Sequence, residues 1–233
     1  MAETTAESSE PNKTASTPPV AAAVEGEEDK EEGEISPRKG EARLPSPEVS
    51  KKHLLEHEWT LWFDNPNGRQ RQTTWGNSLR SVYTFGTVED FWCLFNNVVQ
   101  PSRLIHGADF HCFKKGIEPK WEDPKCSGGG RWNAQVPKGR PTTLDTYWLH
   151  TLLAMIGEQF SDGEEVCGSV VSVRVKQDRI AIWTKTASNE AAQLSIGRQW
   201  KEVLDFGDQI KIGYVAHEDA KKLDKRAKDR YTV

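Results

Sequence analysis

Val166-Cys-Gly-Ser-Val-Val-Ser-Val-Arg-Val175, then Lys176-Gln-Asp178, then Arg179-Ile-Ala-Ile-Trp-Thr-Lys185 reads as two β-rich runs joined by a short turn, an antiparallel hairpin. Alternate residues of a strand share a face. Arg174 and Lys176 therefore project together from the first run, and Arg179 and Trp183 from the second. Val171, Val173, Val175, Ile180 and Ile182 take the opposite face, toward a core. What remains is a basic face with an exposed-side indole, and its only acid is Asp178 in the turn. Charge on an outer sheet face is ordinary. Three cations this close also suit a short string of phosphates, because a guanidinium can grip two phosphate oxygens at once.

Outward from the hairpin, the aromatic run over 58–64 predicts a strand, ended by the turn Asn65-Pro-Asn-Gly68. The segment 69–79 is polar except for Trp75. Thr87 can cap a helix on which Val88, Phe91, Trp92, Phe95 and Val99 recur at helical spacing. A second helix is predicted over 143–157 with Trp148, Leu149, Leu152, Leu153 and Ile156 on its apolar face, and a third from near Asn189 with Ile196, Trp200 and Leu204. Residues 209–217 read as a last strand, and Ser127-Gly-Gly-Gly-Arg131-Trp132 as a flexible loop. Strands and helices do not alternate regularly, so the class is α+β with a mainly antiparallel sheet, and no internal repeat is visible.

Nine tryptophans fall between Trp59 and Trp200, whereas residues 1–52 contain no Trp, Tyr or Phe. Those 52 residues hold twelve acidic and seven basic side chains, a net of −5 in a chain of −4, which leaves about +1 for 53–233. So few large apolar groups cannot offset the entropy of ordering a backbone. We expect 1–52 to be a disordered acidic arm and 53–233 to form one domain with a sizeable core. No charged segment followed by an apolar run starts the chain, and no stretch of 18 apolar residues occurs, so a soluble intracellular protein is expected. Cys93, Cys112, Cys126 and Cys167 form no CxxC pair, and His106, His111 and Cys112 lack a second ligand pair at zinc-finger spacing, so no metal is assigned. Cys126 and Cys167 are the pair considered for a regulated disulfide, which spacing alone does not derive.

Trp75 lies between Thr74 and Gly76, and Trp121-Glu122-Asp123 between two prolines, so these indoles belong to loops. Two loop indoles can clamp a flat ring, and a positive charge on that ring adds roughly 1–2 kcal/mol in a partly dry site. The Glu122 carboxylate can then accept two neighbouring N–H donors of the guanine edge. Taken singly, each feature has an ordinary reading: a tryptophan plugging a loop against the core, or a solvated carboxylate. Together with the basic hairpin they describe a cationic flat base, guanine-type donors and a phosphate string, which is the 7-methylguanosine triphosphate cap of mRNA. An aromatic cage for methyl-lysine or a general single-strand RNA binder would use the same indoles. The first needs no phosphate ligands, and the second usually carries a more basic domain. GxSxG, HExxH and P-loop motifs are absent, so no enzyme and no cofactor is expected.

Glu58-Trp-Thr-Leu-Trp-Phe63, Thr87-Val-Glu-Asp-Phe-Trp92, Gly116-Ile-Glu-Pro-Lys-Trp-Glu-Asp123, Gly129-Gly-Arg-Trp132, Trp148-Leu-His-Thr-Leu-Leu-Ala-Met-Ile-Gly-Glu158, Cys167-Gly-Ser-Val-Val-Ser-Val-Arg174 and Ile180-Ala-Ile-Trp183 resemble, in order and spacing, the eukaryotic translation initiation factor 4E family, its plant members most. The resemblance spans about 53–233 and implies a curved, mainly antiparallel sheet cupping the cap, with about three helices on its convex back. It implies that Trp75 and Trp121 stack on the base, Glu122 reads guanine, Trp183 touches the base methyl, Arg174 and Lys176 hold phosphates, and Arg131 and Arg179 support them. It further implies that His53, Leu54, Val88, Trp92, Leu149, Leu153 and Gly157 receive a Tyr-x-x-x-x-Leu-apolar helix of a scaffold subunit. A monomer working in the cytoplasm, with the nucleus as a second location, is expected, with no membrane and with a viral genome-linked protein as a further partner. Where many animal members have proline after the entry histidine this chain has Leu54, the loop over 134–143 is longer, and residues 218–233 contain no serine.

Overall fold

A computed structural model describes residues 51–65, 78–139, 141–222 and 228–233, apart from the side chain of residue 141. The chain divides into two units, Met1–Glu48 and Val49–Val233, and every residue described below belongs to the second. The expected arm, all but its last two residues, lies outside the described residues, as do Trp75 and the turn after Asn65.

Eight strands form one sheet: β1 (Leu54–Asp64), β2 (Arg80–Thr87), β3 (Asp109–Lys114), β4 (Gly130–Val136), β5 (Val166–Ser172), β6 (Asp178–Thr184), β7 (Gly213–Ala216) and β8 (Tyr231–Thr232). Their order is β2-β1-β3-β5-β6-β4-β7-β8, and every pairing is antiparallel. Helices α1 (Val88–Asn97), α2 (Pro141–Ile156), α3 (Glu190–Val203) and α4 (His217–Lys222) complete the domain. The curved, antiparallel α+β fold is thus as the sequence indicates. No helix among the described residues is long and apolar enough to cross a membrane.

The helix starts follow local chemistry. Thr87 Oγ1 accepts from the Asp90 amide at 3.1 Å, and Asn189 Oδ1 accepts from the Ala192 amide at 3.3 Å, each satisfying an amide that the first turn leaves without a partner. α1 ends at Asn97, short of Val99, because Val98 turns to extended backbone. α2 starts two residues earlier than the periodicity suggests, at Pro141, whose fixed φ suits a first helical turn.

The core lies between the helices and one face of the sheet. Trp59, Phe110, Trp132, Ile180, Ile182 and Tyr214 supply the sheet side, and Phe91, Trp148, Leu152, Ile196 and Trp200 the helical side. Several polar atoms carried into it are paired: Trp200 Nε1 donates to Thr151 Oγ1 at 3.0 Å, Thr151 donates to the Tyr147 carbonyl at 2.8 Å, and Trp132 Nε1 donates to the Gln193 carbonyl at 3.1 Å.

Several sequence expectations shift. The hairpin strands stop at Ser172 and resume at Asp178, so alternation ends before Val175, which is 75% exposed rather than core-facing. Arg174 and Lys176 accordingly belong to the connecting turn, which Asp178 Oδ1 fastens by accepting the Arg174 amide at 2.9 Å. The glycine-rich stretch is no loose loop: Gly130, Arg131 and Trp132 open β4, paired on both sides by β6 and β7. Gly129 and Gly130 permit this, since a Cβ on Gly129 would stand 1.7 Å from the Thr184 carbonyl oxygen. The last predicted strand is only Gly213–Ala216, and His217 starts α4.

Trp132 is fitted to α3 as closely as to the sheet, for a Cβ on Gly197 would stand 2.6 Å from its ring. Gly197→Ala should lower unfolding free energy by about 1–3 kcal/mol through overpacking. Gly207→Ala, which meets nothing within 4 Å, should change it little. Urea denaturation of the two variants checks the contrast; equal midpoints would show that the helix yields at no cost.

Candidate nucleic-acid interface

Strand register places the face opposite the core in three rows. Asp64, Asp109, Ser172, Arg179 and Gln135 lie side by side across β1, β3, β5, β6 and β4. Two residues along come Trp62, His111, Val170, Ala181 and Asn133, then Thr60, Phe113, Gly168, Trp183 and Arg131. One end of this concave face is charged, and the other is aromatic.

At the charged end, Arg174 Nη2 donates to Asp109 Oδ2 at 3.0 Å, and Nη1 donates to the carbonyls of Val173 at 3.0 Å and Ala108 at 3.4 Å. Arg131 and Arg179 differ, because the Nε of each is buried with no hydrogen-bond partner among the described residues. Burial and then the nearby Arg179 bring Arg131 down to about 10, and burial followed by Arg174 lowers Arg179. Asp109 offsets the charge of Arg179 in part, whereas Arg131 has no acid acting on it, and each group keeps a buried Nε without a partner among the described residues. Their environment therefore favours an anion with several oxygens. Lys176 is exposed on the turn beside them.

At the aromatic end, Trp183 is only 6% exposed, against the expectation of an exposed-side indole. Its parity is as predicted, but this face carries a second apolar cluster of Phe113, Ile117, Cys126, Cys167, Val170, Ala181 and Trp183, with Trp121 packed against it. Trp183 meets Phe113 edge-on at 5.5 Å and His217 at 4.4 Å between ring centroids. Trp121 and the exposed Glu122 stand in the turns between β3 and β4, with the Trp121 indole donating to the Glu122 carboxylate. Lys221 of α4 places its ammonium 5.7 Å from the Trp121 ring centroid, a cation–π contact. Cys126 and Cys167 are free thiols in contact, and hydrogen bonding between them together with burial raises Cys126 far above the ordinary thiol range.

On the opposite side, Val88 and Trp92 of α1 point outward while Phe91 enters the core; Trp92 is 37% exposed and meets Phe91 and Phe95 edge-on. Leu149 and Leu153 of α2 are half-buried, and Gly157 is exposed just past its end. Leu54, 84% exposed, follows His53, whose carbonyl accepts the Val88 amide at 2.9 Å and whose ring pairs with Glu89 at 2.7 Å. The chain entering β1 is thereby tied to the start of α1.

The structure thus places Arg174 and Arg179 at the charged end of the concave face, and sets Arg131 level with Trp183 at the aromatic end, where Trp121 packs against the same cluster. Sequence reasoning missed Asp109, which pairs with Arg174 across 65 positions, and the two residues of α4, His217 and Lys221, that reach the tryptophans. Asp109 would have required the strand register. His217 looked like the end of a strand.

Residues 54–231 match the family described as Eukaryotic initiation factor 4E. The chain is 59% identical over 206 residues to eukaryotic translation initiation factor 4E-1 of Oryza sativa subsp. japonica, covering 88% of each chain. It is 60% identical to the protein of that name from Zea mays, covering 89% of this chain and 90% of that one. Among solved structures it resembles C. elegans eIF4E-3 in complex with the 4E-binding protein Mextli and a cap analog, with TM-score 0.72 and 38% identity over 78% of this chain and all of that one. Ascaris suum eIF4E-3 with an m2,2,7G cap is similar at TM-score 0.72 and 40% identity, covering 78% of this chain and 99% of that one.

The concave face carries its own pH signature. Burial, then Arg131 and Lys221, depress His217 from its ordinary 6.5 to about 3, so the fold holds it neutral. As pH falls below about 6.5 the unfolded chain takes up this proton and the folded chain does not, so stability is lost progressively between about 6.5 and 3. His217→Gln should flatten stability against pH across that window by up to about 1.4 kcal/mol per pH unit, the value of one proton. Denaturant unfolding at stepped pH measures this; identical slopes would mean that the ring protonates in the native state.

Proposed function

The chain belongs to the eukaryotic initiation factor 4E family, and from that premise we propose that its concave face binds the 7-methylguanosine cap of mRNA while its helical back takes up a partner that starts translation. The observation that carries the first half is the arginine group. Three arginines served by the one carboxylate of Asp109, two of them with a buried Nε that has no partner among the described residues, suit the oxygens of a phosphate chain, and a methyl-lysine cage would leave that excess of charge uncompensated. Beside them, Trp121 and Trp183 border one apolar cluster into which a flat ring can be laid. In this reading Trp121 stacks with Trp75, Glu122 turns from its indole partner to the guanine edge, and Trp183 lies against the base methyl. Arg174 and Lys176 hold the phosphates with Arg131 and Arg179 behind them. The reaction is binding alone, and no group on this face is asked to transfer a proton or break a bond.

For the second half, a half-exposed Trp92 one turn after Val88 on α1, with half-buried Leu149 and Leu153 on α2, supplies the kind of aromatic and aliphatic anchors around which helix-binding grooves are built. Gly157, His53 and Leu54 bound it in this reading. A scaffold subunit as owner of the Tyr-x-x-x-x-Leu-apolar helix, action as a monomer, use by a viral genome-linked protein, and residence in cytoplasm and nucleus are parts of the proposal that rest on the resemblance. The touching thiols of Cys126 and Cys167 supply the pair for a regulated disulfide beside the base.

Capture on immobilised 7-methyl-GTP should be competed by free 7-methyl-GTP and not by GTP. Trp121→Ala should cost about 1–3 kcal/mol of cap affinity by calorimetry, since one stacking partner is lost. At low salt 7-methyl-GTP should bind more tightly than 7-methyl-GMP, and added salt should narrow the gap. Equal affinities at low salt would remove the arginines from phosphate binding.

Trp92→Ala should abolish binding of a Tyr-x-x-x-x-Leu-apolar peptide, a loss of at least about 2 kcal/mol, while the variant stays on cap resin. Retained peptide affinity with a lowered melting temperature would make Trp92 a packing residue instead.

A further inference from the structure

At the β1 edge of the charged row, two carboxylates and an imidazole converge. One ligand-capable atom each from Asp64, Asp109 and His111 lies within 4.8 Å of the other two. Asp64 Oδ1 and both ring nitrogens of His111 are buried and make no hydrogen bond among the described residues, while Asp109 Oδ1 is buried 3.0 Å from Arg174 Nη2. His111 is at the centre of the anomaly. Its side chain is more than nine-tenths buried, between Trp62 and Val170 in register and with Phe113 at 6.4 Å, yet neither nitrogen has a hydrogen-bond partner among the described residues. A buried polar group left without a partner costs free energy, and such groups in native proteins usually have an occupant to explain them.

The cluster owes nothing to the acids or to the histidine alone. Asp64 and Asp109 are direct cross-strand partners of β1 and β3, where like charges repel, and His111 is two residues along the same face. Arg174 offsets part of the repulsion by placing Nη2 3.0 Å from both oxygens of Asp109, but leaves Asp64 Oδ1 with no hydrogen-bond partner among the described residues. Neutral imidazole is the ligating form, and a buried ring such as that of His111 favours it.

We propose that Asp64, Asp109 and His111 form a binding site for a divalent transition-metal ion of the zinc type on the concave face. An imidazole with two carboxylate oxygens suits zinc and its neighbours rather than magnesium or calcium, which prefer all-oxygen sets. Tetrahedral bonds of about 2.1 Å from one ion set neighbouring donors about 3.4 Å apart, so the three donors, now within 4.8 Å of one another, draw together by up to about 1.4 Å when the ion binds. Asp109 joins the ion to the arginine row, because the same carboxylate holds Arg174. The sequence concealed the site: 47 positions separate Asp64 from His111, and no ligand spacing spans them.

The test uses the full chain, titrated with Zn²⁺ by calorimetry and with Co²⁺ as a coloured stand-in. One equivalent should bind, with visible bands of a nitrogen–oxygen environment, and His111→Phe and Asp64→Asn should each weaken it by at least about 10-fold. His111→Phe keeps an aromatic ring in the row, and Asp64→Asn lies at a strand end, so the second variant decides if the first does not fold. Undiminished affinity in a folded variant, a thiolate-to-cobalt charge-transfer band, or no uptake by the parent below millimolar metal overturns the site.

Discussion

The antiparallel register of β3, β5, β6 and β4 is the constraint on which everything else rests. With side chains alternating between faces, a single offset of one residue would exchange the apolar set with the charged one. The register is therefore held by features that tolerate no slip. Gly168 is one, since a Cβ there would stand 2.5 Å from the Cys112 carbonyl oxygen and from the Phe113 ring. Ser169 is another, its hydroxyl donating to the Ala181 carbonyl at 2.8 Å in a fully buried position. Held in this way, four strands put Trp132, Ile180 and Ile182 under the helices and Arg131, Arg179 and Trp183 on the other side.

The concave face is built at some cost to the fold. Two guanidinium nitrogens buried without partners, two histidines held neutral and two touching thiols are all groups that an optimised core would replace by hydrocarbon. That cost is offset on the convex side, where a large aromatic core pairs the indoles of Trp132 and Trp200 with neighbouring oxygens. The two sides thus divide the labour: one stabilises, and the other remains unsatisfied until something occupies it.

The helices were legible because each carries a cap and an apolar stripe, both of which are local. Thr87 and Asn189 sit where the caps were expected or next to the predicted start. The hairpin was legible for the same reason, up to Ser172. β2, β3 and β8 were not, since Arg80–Thr87 is largely exposed, Asp109–Lys114 is buried on both faces, and Tyr231–Thr232 is too short to show a period. Gly129 and Gly130 misled because glycine signals flexibility by itself, while here it permits the close approach of neighbouring strands. Of the site, the residue types were readable and their pairings were not: Asp109 with Arg174, His217 with Trp183 and Lys221 over Trp121 all depend on register or on a helix of six residues.

The distribution of indoles has a consequence for light. Trp59, Trp132, Trp148 and Trp200 lie in the convex core, shielded by the sheet from anything held on the other face, whereas Trp121 and Trp183 border the concave cluster. Emission from the first group is a property of the fold, constant for as long as the chain stays folded. A ring laid on the concave side can darken only indoles on that side, which among the described residues are Trp62, Trp121 and Trp183. Intrinsic fluorescence should therefore fall to a plateau well above zero at saturation, and the residual glow belongs to the core rather than to molecules that failed to bind.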